Sequence, residues 1–400
     1  MLKKILVYLF VLLVLNSECI IASSFLYDVK EIENKNAIHT NADVSFNFES
    51  EAQILIEPLT GEVIYANNEE EELLPASVTK VMTLLLIMEQ IDSGNLDYSD
   101  VVTCSKNASE MGGSQIWFKE NEILTIEEAL KAICVVSAND VTVAMAELIG
   151  GSEDNFVIMM NGKAKELGMN HTHFVNCHGI DEEGHYTCAK DIAIMARELV
   201  NKHPNILKYT SIWMDTLRNG EFGLNSTNKL IRYYDGATGL KTGYTKDAGY
   251  NLVATATRGD NTFLSVILKA PTSEVRTNET KQLLDYAFSN YMVEKLCSTE
   301  AIIDEIPVDK NIEETVKVKI AKPVYRLTKK SEKSDVENVL LLDNVRAPIR
   351  KGDVVGKMEF RIKDTNELIG ESEIVATNEV KKSDFKKYLL YIVNKFFLHS

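Results

Sequence analysis

The chain has little of what would make it disulfide-held, fibrous or multispanning. Its 400 residues include six cysteines, seven prolines and twenty glycines. Cys19 falls in the N-terminal leader described below, which leaves Cys104, Cys134, Cys177, Cys188 and Cys297. An odd number of cysteines at irregular spacing is not a disulfide framework. Glycine and proline are too few for a collagen-like or low-complexity chain, and no internal repeat is present. Positive charge is also scarce: 43 Lys and Arg face 59 Asp and Glu, a net charge of −16. The chain therefore has no electrostatic footprint for nucleic acid. What remains is 45% apolar and 26% charged, the composition of a globular protein with room for one large domain and one small one.

The two ends differ from the rest. Lys3 and Lys4 precede the apolar run Ile5 to Leu15, eleven residues long, against the roughly 20 needed to cross a bilayer. Ala22 and Ser24 follow at the spacing of a small-residue cleavage site. This predicts a secretory signal peptide over 1–24 and a mature start near Phe25. At the other end, Phe385, Tyr388, Leu389, Ile392, Val393, Phe396 and Phe397 fall on one face at helical spacing, with Lys386, Lys387 and Lys395 opposite. Residues 380–400 are thus expected to form an amphipathic helix that lies on a membrane surface. Together these features predict an exported protein held at a membrane surface.

Between the ends, Gln53 to Ile56 and Glu62 to Ala66 read as a hairpin around Pro58-Leu59-Thr60-Gly61. Ser77 to Ile91 is densely apolar and predicts a buried helix stopped at Gly94. Residues 126–149 carry two helical patterns interrupted at Ser137-Ala138-Asn139, and 154–168 carry another closing at Gly168. Residues 249–257 and 262–269 are strand-like runs joined by Arg258-Gly259-Asp260-Asn261, followed by a helix over 274–292. Strands from both ends of this region are expected to share one antiparallel sheet packed by helices. After residue 298 the texture changes to period-two alternation, as in Val316, Val318 and Ile320 and in Met358, Phe360 and Ile362. The expected architecture is α+β over 25–295, then a small all-β domain over 298–378.

Three short segments carry chemistry. In Ser77-Val78-Thr79-Lys80, helical spacing brings an amine to a hydroxyl one turn away. A serine needs a base to become a nucleophile, and a lysine held neutral by burial can serve. Alone the pattern is weak; Ser383-Asp384-Phe385-Lys386 repeats it by coincidence. Ser137-Ala138-Asn139 is weaker still, since Ser-x-Asn also occurs at Ser45, Ser93, Ser105 and Ser226, and helix caps favour the same residues. Its distinction is a polar triplet set between apolar helices. Lys241-Thr242-Gly243 could hold a carboxylate, with glycine allowing close backbone approach, but on its own it reads as a loop.

Taken together and in this order, separated by about 60 and about 100 residues, the three segments match the motif set of penicillin-binding proteins and serine β-lactamases. The flanking runs Leu74 to Lys80, Gly112-Gly113-Ser114, Ser137 to Asp140, His178-Gly179-Ile180-Asp181 and Gly239 to Thr245 narrow the match. The chain resembles the low-molecular-mass D-alanyl-D-alanine carboxypeptidases, serine peptidases of family S11, from about residue 50 to its C-terminus. The resemblance implies a transpeptidase-like fold and a serine hydrolase. Its ligands would be β-lactams and peptidoglycan stem peptides ending in D-Ala-D-Ala, and no cofactor would be needed. It also implies roles: Ser77 as acylated nucleophile, Lys80 as general base, Ser137 as proton relay, and Asn139 as substrate and lysine partner. Lys241, Thr242 and Gly243 would hold the terminal carboxylate, with Arg276 as a further partner. The N–H groups of Ser77 and Tyr244 would form the oxyanion hole; many relatives have histidine where Tyr244 stands.

Rival readings remain at this stage. His171, His173, Cys177, His178, His185 and Cys188 crowd into 18 residues and invite a zinc site; a loop beside the cleft is the plainer reading, because the implied chemistry needs no metal. A Cys177–Cys188 disulfide and free thiols are both open. A β-lactamase would want a deacylating glutamate, for which Glu166 is the candidate. A D,D-endopeptidase uses the same residues, and a non-catalytic penicillin-binding module would be expected to carry degenerate motifs.

Overall fold

The computed structural model describes residues 45–382, apart from 310–314, 333 and 344. The leader and the apolar stretch from Phe385 lie outside the described residues. Within them no helix follows Asn290, and none is long and apolar enough to cross a membrane. The C-terminal amphipathic helix is therefore no part of the described fold.

The first domain is built on a five-stranded antiparallel sheet. Its strands are β1 (Ala52–Ile56), β2 (Val63–Asn67), β3 (Ala237–Thr245), β4 (Gly249–Arg258) and β5 (Asn261–Ala270), in the spatial order β2-β1-β5-β4-β3. The β1–β2 and β4–β5 hairpins are those read from the sequence, and β1 pairs with β5 so that both ends of the domain share the sheet. The sheet is covered on both faces, and strand side chains divide between the two layers with period two. Leu264, Val266 and Leu268 enter the core on the larger helical side; Phe263 and Ile267 enter the core on the other side with Leu283, Leu284 and Phe288. The latter belong to α6 (Ser273–Asn290).

The larger helical layer holds α1 (Lys80–Asp92), α2 (Ile126–Lys131), α3 (Asn139–Gly150), α4 (Glu153–Glu166) and α5 (Ala189–Lys202). Every residue of α1 from Lys80 to Met88 is buried, which explains a sequence with no polar face. The helix stops with Gly94 in left-handed geometry, φ +76, as a glycine stop requires. α2 starts on a capping box in which Thr125 and Glu128 satisfy each other's backbone N–H groups.

Two local features depart from expectation. The apolar run Ala132–Val136 is a π-turn rather than α-helix, and it delivers Ser137 in left-handed conformation. Lys241-Thr242-Gly243 lies on the edge strand β3, not in a loop.

The second domain is all-β. Strands β6 (Tyr291–Lys295), β7 (Asp304–Pro307), β8 (Thr315–Ile320), β9 (Tyr325–Lys329), β10 (Val336–Leu342), β11 (Val354–Ile362) and β12 (Leu368–Ala376) form a β6–β9 pair and a sheet ordered β7-β8-β12-β11-β10. The residues at 291–295, read as the end of the first domain, pair with Tyr325–Lys329; a partner thirty residues downstream leaves no local mark. Val316, Val318, Ile320, Phe360 and Ile374 form a separate core. Phe360 is fully buried there, so Phe360→Ala should cost about 3–5 kcal/mol. In calorimetry the transition of the second domain should fall while that of the first stays unchanged; a fall in both would mean that the two domains fold as one unit.

Candidate active site

The three segments meet at one cleft. Ser77 sits in a 3-10 turn, Ala76–Thr79, that runs directly into α1. Ala76 has φ +49, an uncommon left-handed value for alanine. Gly179 lies against this turn: a Cβ there would be 1.9 Å from the Ala76 carbonyl oxygen. Thr79 Oγ1 donates to Ala76 O at 2.9 Å and bonds His185 Nε2 at 2.8 Å. A hydroxyl has one hydrogen, so His185 Nε2 is the donor in the second bond. His185 Nδ1 then accepts from Val175 N–H at 3.1 Å. This is the neutral tautomer, in keeping with burial lowering the imidazole to about 4.

Lys80 is fully buried. Its Nζ lies 3.0 Å from Ser77 Oγ, 2.7 Å from Asn139 Oδ1 and 2.7 Å from the His178 carbonyl oxygen. Burial, reinforced by Lys241, pushes its ammonium well below the ordinary lysine value. The geometry then fixes the hydrogens. A neutral amine has two N–H bonds and one lone pair. The amide and carbonyl oxygens can only accept, so they take both N–H groups, and the lone pair is left facing the Ser77 hydroxyl. That is the arrangement of a general base on a nucleophile.

Asn139 opens α3. Its Nδ2 donates to Gly112 O at 2.8 Å, and its backbone N–H donates to Ser114 O at 2.7 Å. Asp140, also buried, accepts from Ile116 and Phe118 N–H at 3.0 and 2.9 Å. The Gly112–Phe118 loop is thereby fastened to the start of α3. Ser137 has φ +64, and its Oγ is buried without a hydrogen-bond partner among the described residues.

Lys241 is buried on β3 and donates from Nζ to Thr242 O at 2.8 Å. Burial lowers its ammonium to about 7, with Arg276 acting in the same direction. Thr242 Oγ1 bonds Thr227 Oγ1 at 2.6 Å. Gly243 passes beneath the Ser77 turn, where a Cβ would meet Pro75 O at 2.8 Å and Ser77 N at 3.1 Å. Tyr244 is exposed and its ring lies against Tyr250 at a tilt of 31°, with ring centroids 4.3 Å apart. Arg276 is buried behind that pair, its guanidinium 5.8 Å from the Tyr250 centroid. It donates to Asn251 O at 3.3 Å and Ser273 Oγ at 3.2 Å, and its Nε has no partner among the described residues.

Ser77, Lys80 and Asn139 are thus in direct contact, and Gly243 brings the Lys241 strand against the Ser77 turn. Sequence reasoning missed several groups. The His178 carbonyl belongs to the backbone and has no residue signature. Ser226-Thr227-Asn228, dismissed as a chance Ser-x-Asn, packs beside the cleft: Thr227 N–H donates to Val135 O at 3.2 Å and Asn228 Nδ2 to Gly239 O at 3.4 Å.

The histidine-rich segment is a scaffold in this structure. His178 Nδ1 accepts from Ile180 N–H at 3.2 Å, and burial lowers the ring to about 3. Cys177 and Cys188 are free, buried thiols. Among the described residues no group of three or more His, Cys, Asp and Glu is placed to hold a metal ion. Glu166 is exposed at the end of α4 and pairs with Lys163 at 2.8 Å, so it is engaged at the surface.

Comparison with known proteins agrees with this geometry. Residues 36–272 match the family described as D-alanyl-D-alanine carboxypeptidase, peptidase S11, and residues 291–382 match the penicillin-binding protein 5 C-terminal domain. The chain is 42% identical to D-alanyl-D-alanine carboxypeptidase DacF of Bacillus subtilis over 346 residues, covering 85% of this chain and 88% of that one. It is 30% identical to DacA of Escherichia coli over 365 residues, 88% of each chain. Penicillin-binding protein 5 of Haemophilus influenzae has the same fold, with a TM-score of 0.71 at 29% identity over 84% of this chain and 99% of that one. Penicillin-binding protein D2 of Listeria monocytogenes, solved with ampicillin bound, superposes with a TM-score of 0.57 at 29% identity, covering 62% of this chain and all of that one. With the family match spanning more than half its length, the chain belongs to the D-alanyl-D-alanine carboxypeptidase family, peptidase S11.

Proposed function

We propose that the chain is a serine D,D-carboxypeptidase that removes the terminal D-alanine from peptidoglycan stem pentapeptides through an acyl-enzyme on Ser77. The observation that carries this reading is the lone pair of a buried Lys80 facing the Ser77 hydroxyl at 3.0 Å. Lys80 takes the hydroxyl proton as Ser77 Oγ attacks the carbonyl carbon of the penultimate D-alanine. The N–H groups of Ser77 and Tyr244 receive the developing oxyanion. Ser137, with its unused hydroxyl, passes the proton to the leaving amine, and free D-alanine departs. Asn139 holds Lys80 and the peptide. Lys241, Thr242 and Gly243 form the carboxylate subsite, and Arg276 adds positive potential behind Tyr244. Water then hydrolyses the ester and restores Ser77. A β-lactam enters by the same attack, and because its ring-opened acyl group keeps the leaving amine tethered, its release is slow.

The leader over 1–24 supports export to the outer face of the cytoplasmic membrane or the cell wall, and the one-sided apolar pattern from Phe385 to Phe397 supports anchoring to the membrane surface.

Ser77→Ala should lose D-alanine release by at least about 10⁴-fold, and intact-mass spectra after penicillin should show no adduct. Retained release in that variant would refute the mechanism.

The pH dependence follows from the two lysines. Lys80 works as a neutral base, so acylation gains as it loses its proton, well below the ordinary lysine range. Lys241 works as a cation, so acylation declines as pH rises through about 7. The second-order rate of penicillin acylation should therefore be bell-shaped. In Lys241→Arg the guanidinium stays charged, and the alkaline limb near 7 should vanish even though the rate is lower. An unchanged limb would mean that another group sets it.

A further inference from the structure

Strand β4 places one wholly buried polar side chain, Asn251, against the Ser77 turn. Its Nδ2 donates to the carbonyl oxygens of Leu74 at 2.9 Å and Pro75 at 3.0 Å, just ahead of Ser77. Its Oδ1 accepts from Lys269 N–H at 2.7 Å. Lys269 has φ +54 and lies beside the register shift between Tyr250 and Leu252, so the strand is bent where Asn251 grips it. The Asn251 carbonyl accepts from Arg276. In the β3–β4 ladder Asn251 stands opposite Gly243, whose bare backbone approaches Pro75 O and Ser77 N. One strand holds the turn through a carboxamide, and the next passes beneath it with no side chain between.

We infer that Asn251 is a positioning residue for the acylation step: its carboxamide fixes the height of the Ser77 turn above β3. That height sets how the nucleophile and the Ser77 N–H meet a carbonyl held by Lys241–Tyr244. A carboxamide satisfies all three backbone partners, with two N–H donors toward carbonyls and one oxygen toward an N–H. Aspartate would turn an acceptor on two carbonyls, alanine would strand all three groups, and serine could replace a single bond. The inference rests on reading Ser77 as the nucleophile.

The test compares Asn251→Ala and Asn251→Ser with Leu284→Ala, which opens a cavity under α6 without touching the turn. Melting temperature, the penicillin acylation rate and kcat and KM for D-alanine release from a D-Ala-D-Ala tripeptide are measured where each protein is folded. Affinity is also measured for a boronic acid whose adduct on serine is tetrahedral. For the Asn251 variants, acylation, kcat and boronate affinity should each fall by about 10–100-fold, with KM within about threefold. Leu284→Ala should melt lower with rates close to the parent. Asn251 variants with parental rates, or a loss shared by Leu284→Ala, would overturn the inference. If Asn251→Ala does not fold, Asn251→Ser carries the same comparison. Mass mapping separates the two claims: a slow but full adduct on Ser77 in the variants supports positioning, whereas a parent protein without an adduct on Ser77 removes the underlying reading instead.

Discussion

The site depends on keeping a lysine amine out of water. Leaving a charged ammonium buried without an acidic partner would cost several kcal/mol, and burial accordingly pushes the Lys80 ammonium well below its ordinary value. Once neutral, it needs two acceptors that cannot donate back. The fold supplies them from opposite walls, Asn139 from the start of α3 and the His178 carbonyl from the loop before α5. Much of the surrounding structure follows from this. Gly179 must be bare so that the loop can reach the Ser77 turn. Thr83 Oγ1, one turn beyond Lys80, donates to Cys177 O at 2.6 Å and fastens the same loop to α1. His185 holds it from the other end.

A second buried lysine gives the cleft its division of labour. Lys80 and Lys241 repel each other when both are charged, so one proton is lost more readily than the other. Among the described residues neither lysine has an acidic hydrogen-bond partner: Lys80 contacts Ser77, Asn139 and the His178 carbonyl, and Lys241 the Thr242 carbonyl. On the proposed reading, a ligand carboxylate bound beside Lys241 would favour its charged form. Burial lowers both ammonium groups, Lys241 to about 7 and Lys80 well below its ordinary value, and the proposed reading splits them into cation and base, as pairs of titratable groups are split elsewhere.

What could be read from the chain and what could not divide along physical lines. The hairpins β1–β2 and β4–β5, helix α1 and the β-rich second domain were legible because their signals are local: period-two or helical apolar spacing bounded by turn residues. Ser77, Lys80, Asn139 and Lys241 were legible because they stand in short contiguous motifs. The edge strand β3 was not, since Gly239 and Gly243 interrupt its strand propensity. Nor was the π-turn Ala132–Val136, whose apolar residues fit an α-helix equally well. The His178 carbonyl, Thr227 and Asn251 were hidden for a further reason. Each acts through a backbone group or a single polar side chain whose partner lies far along the chain. The one clue to Asn251 was a carboxamide set in the apolar run Leu252-Val253-Ala254.

Two of the nine described non-glycine residues with positive φ belong to the site: Ala76 at φ +49, next to Ser77, and Ser137 at φ +64, each costing about 1 kcal/mol or more. Neither conformation is favourable locally; both are held by what surrounds them. Ala76 is fixed through Thr79 and the Gly179 backbone, and Ser137 through the π-turn, whose apolar side chains are buried in the main core. The rigid part of the domain therefore imposes the geometry, and the cleft accepts it.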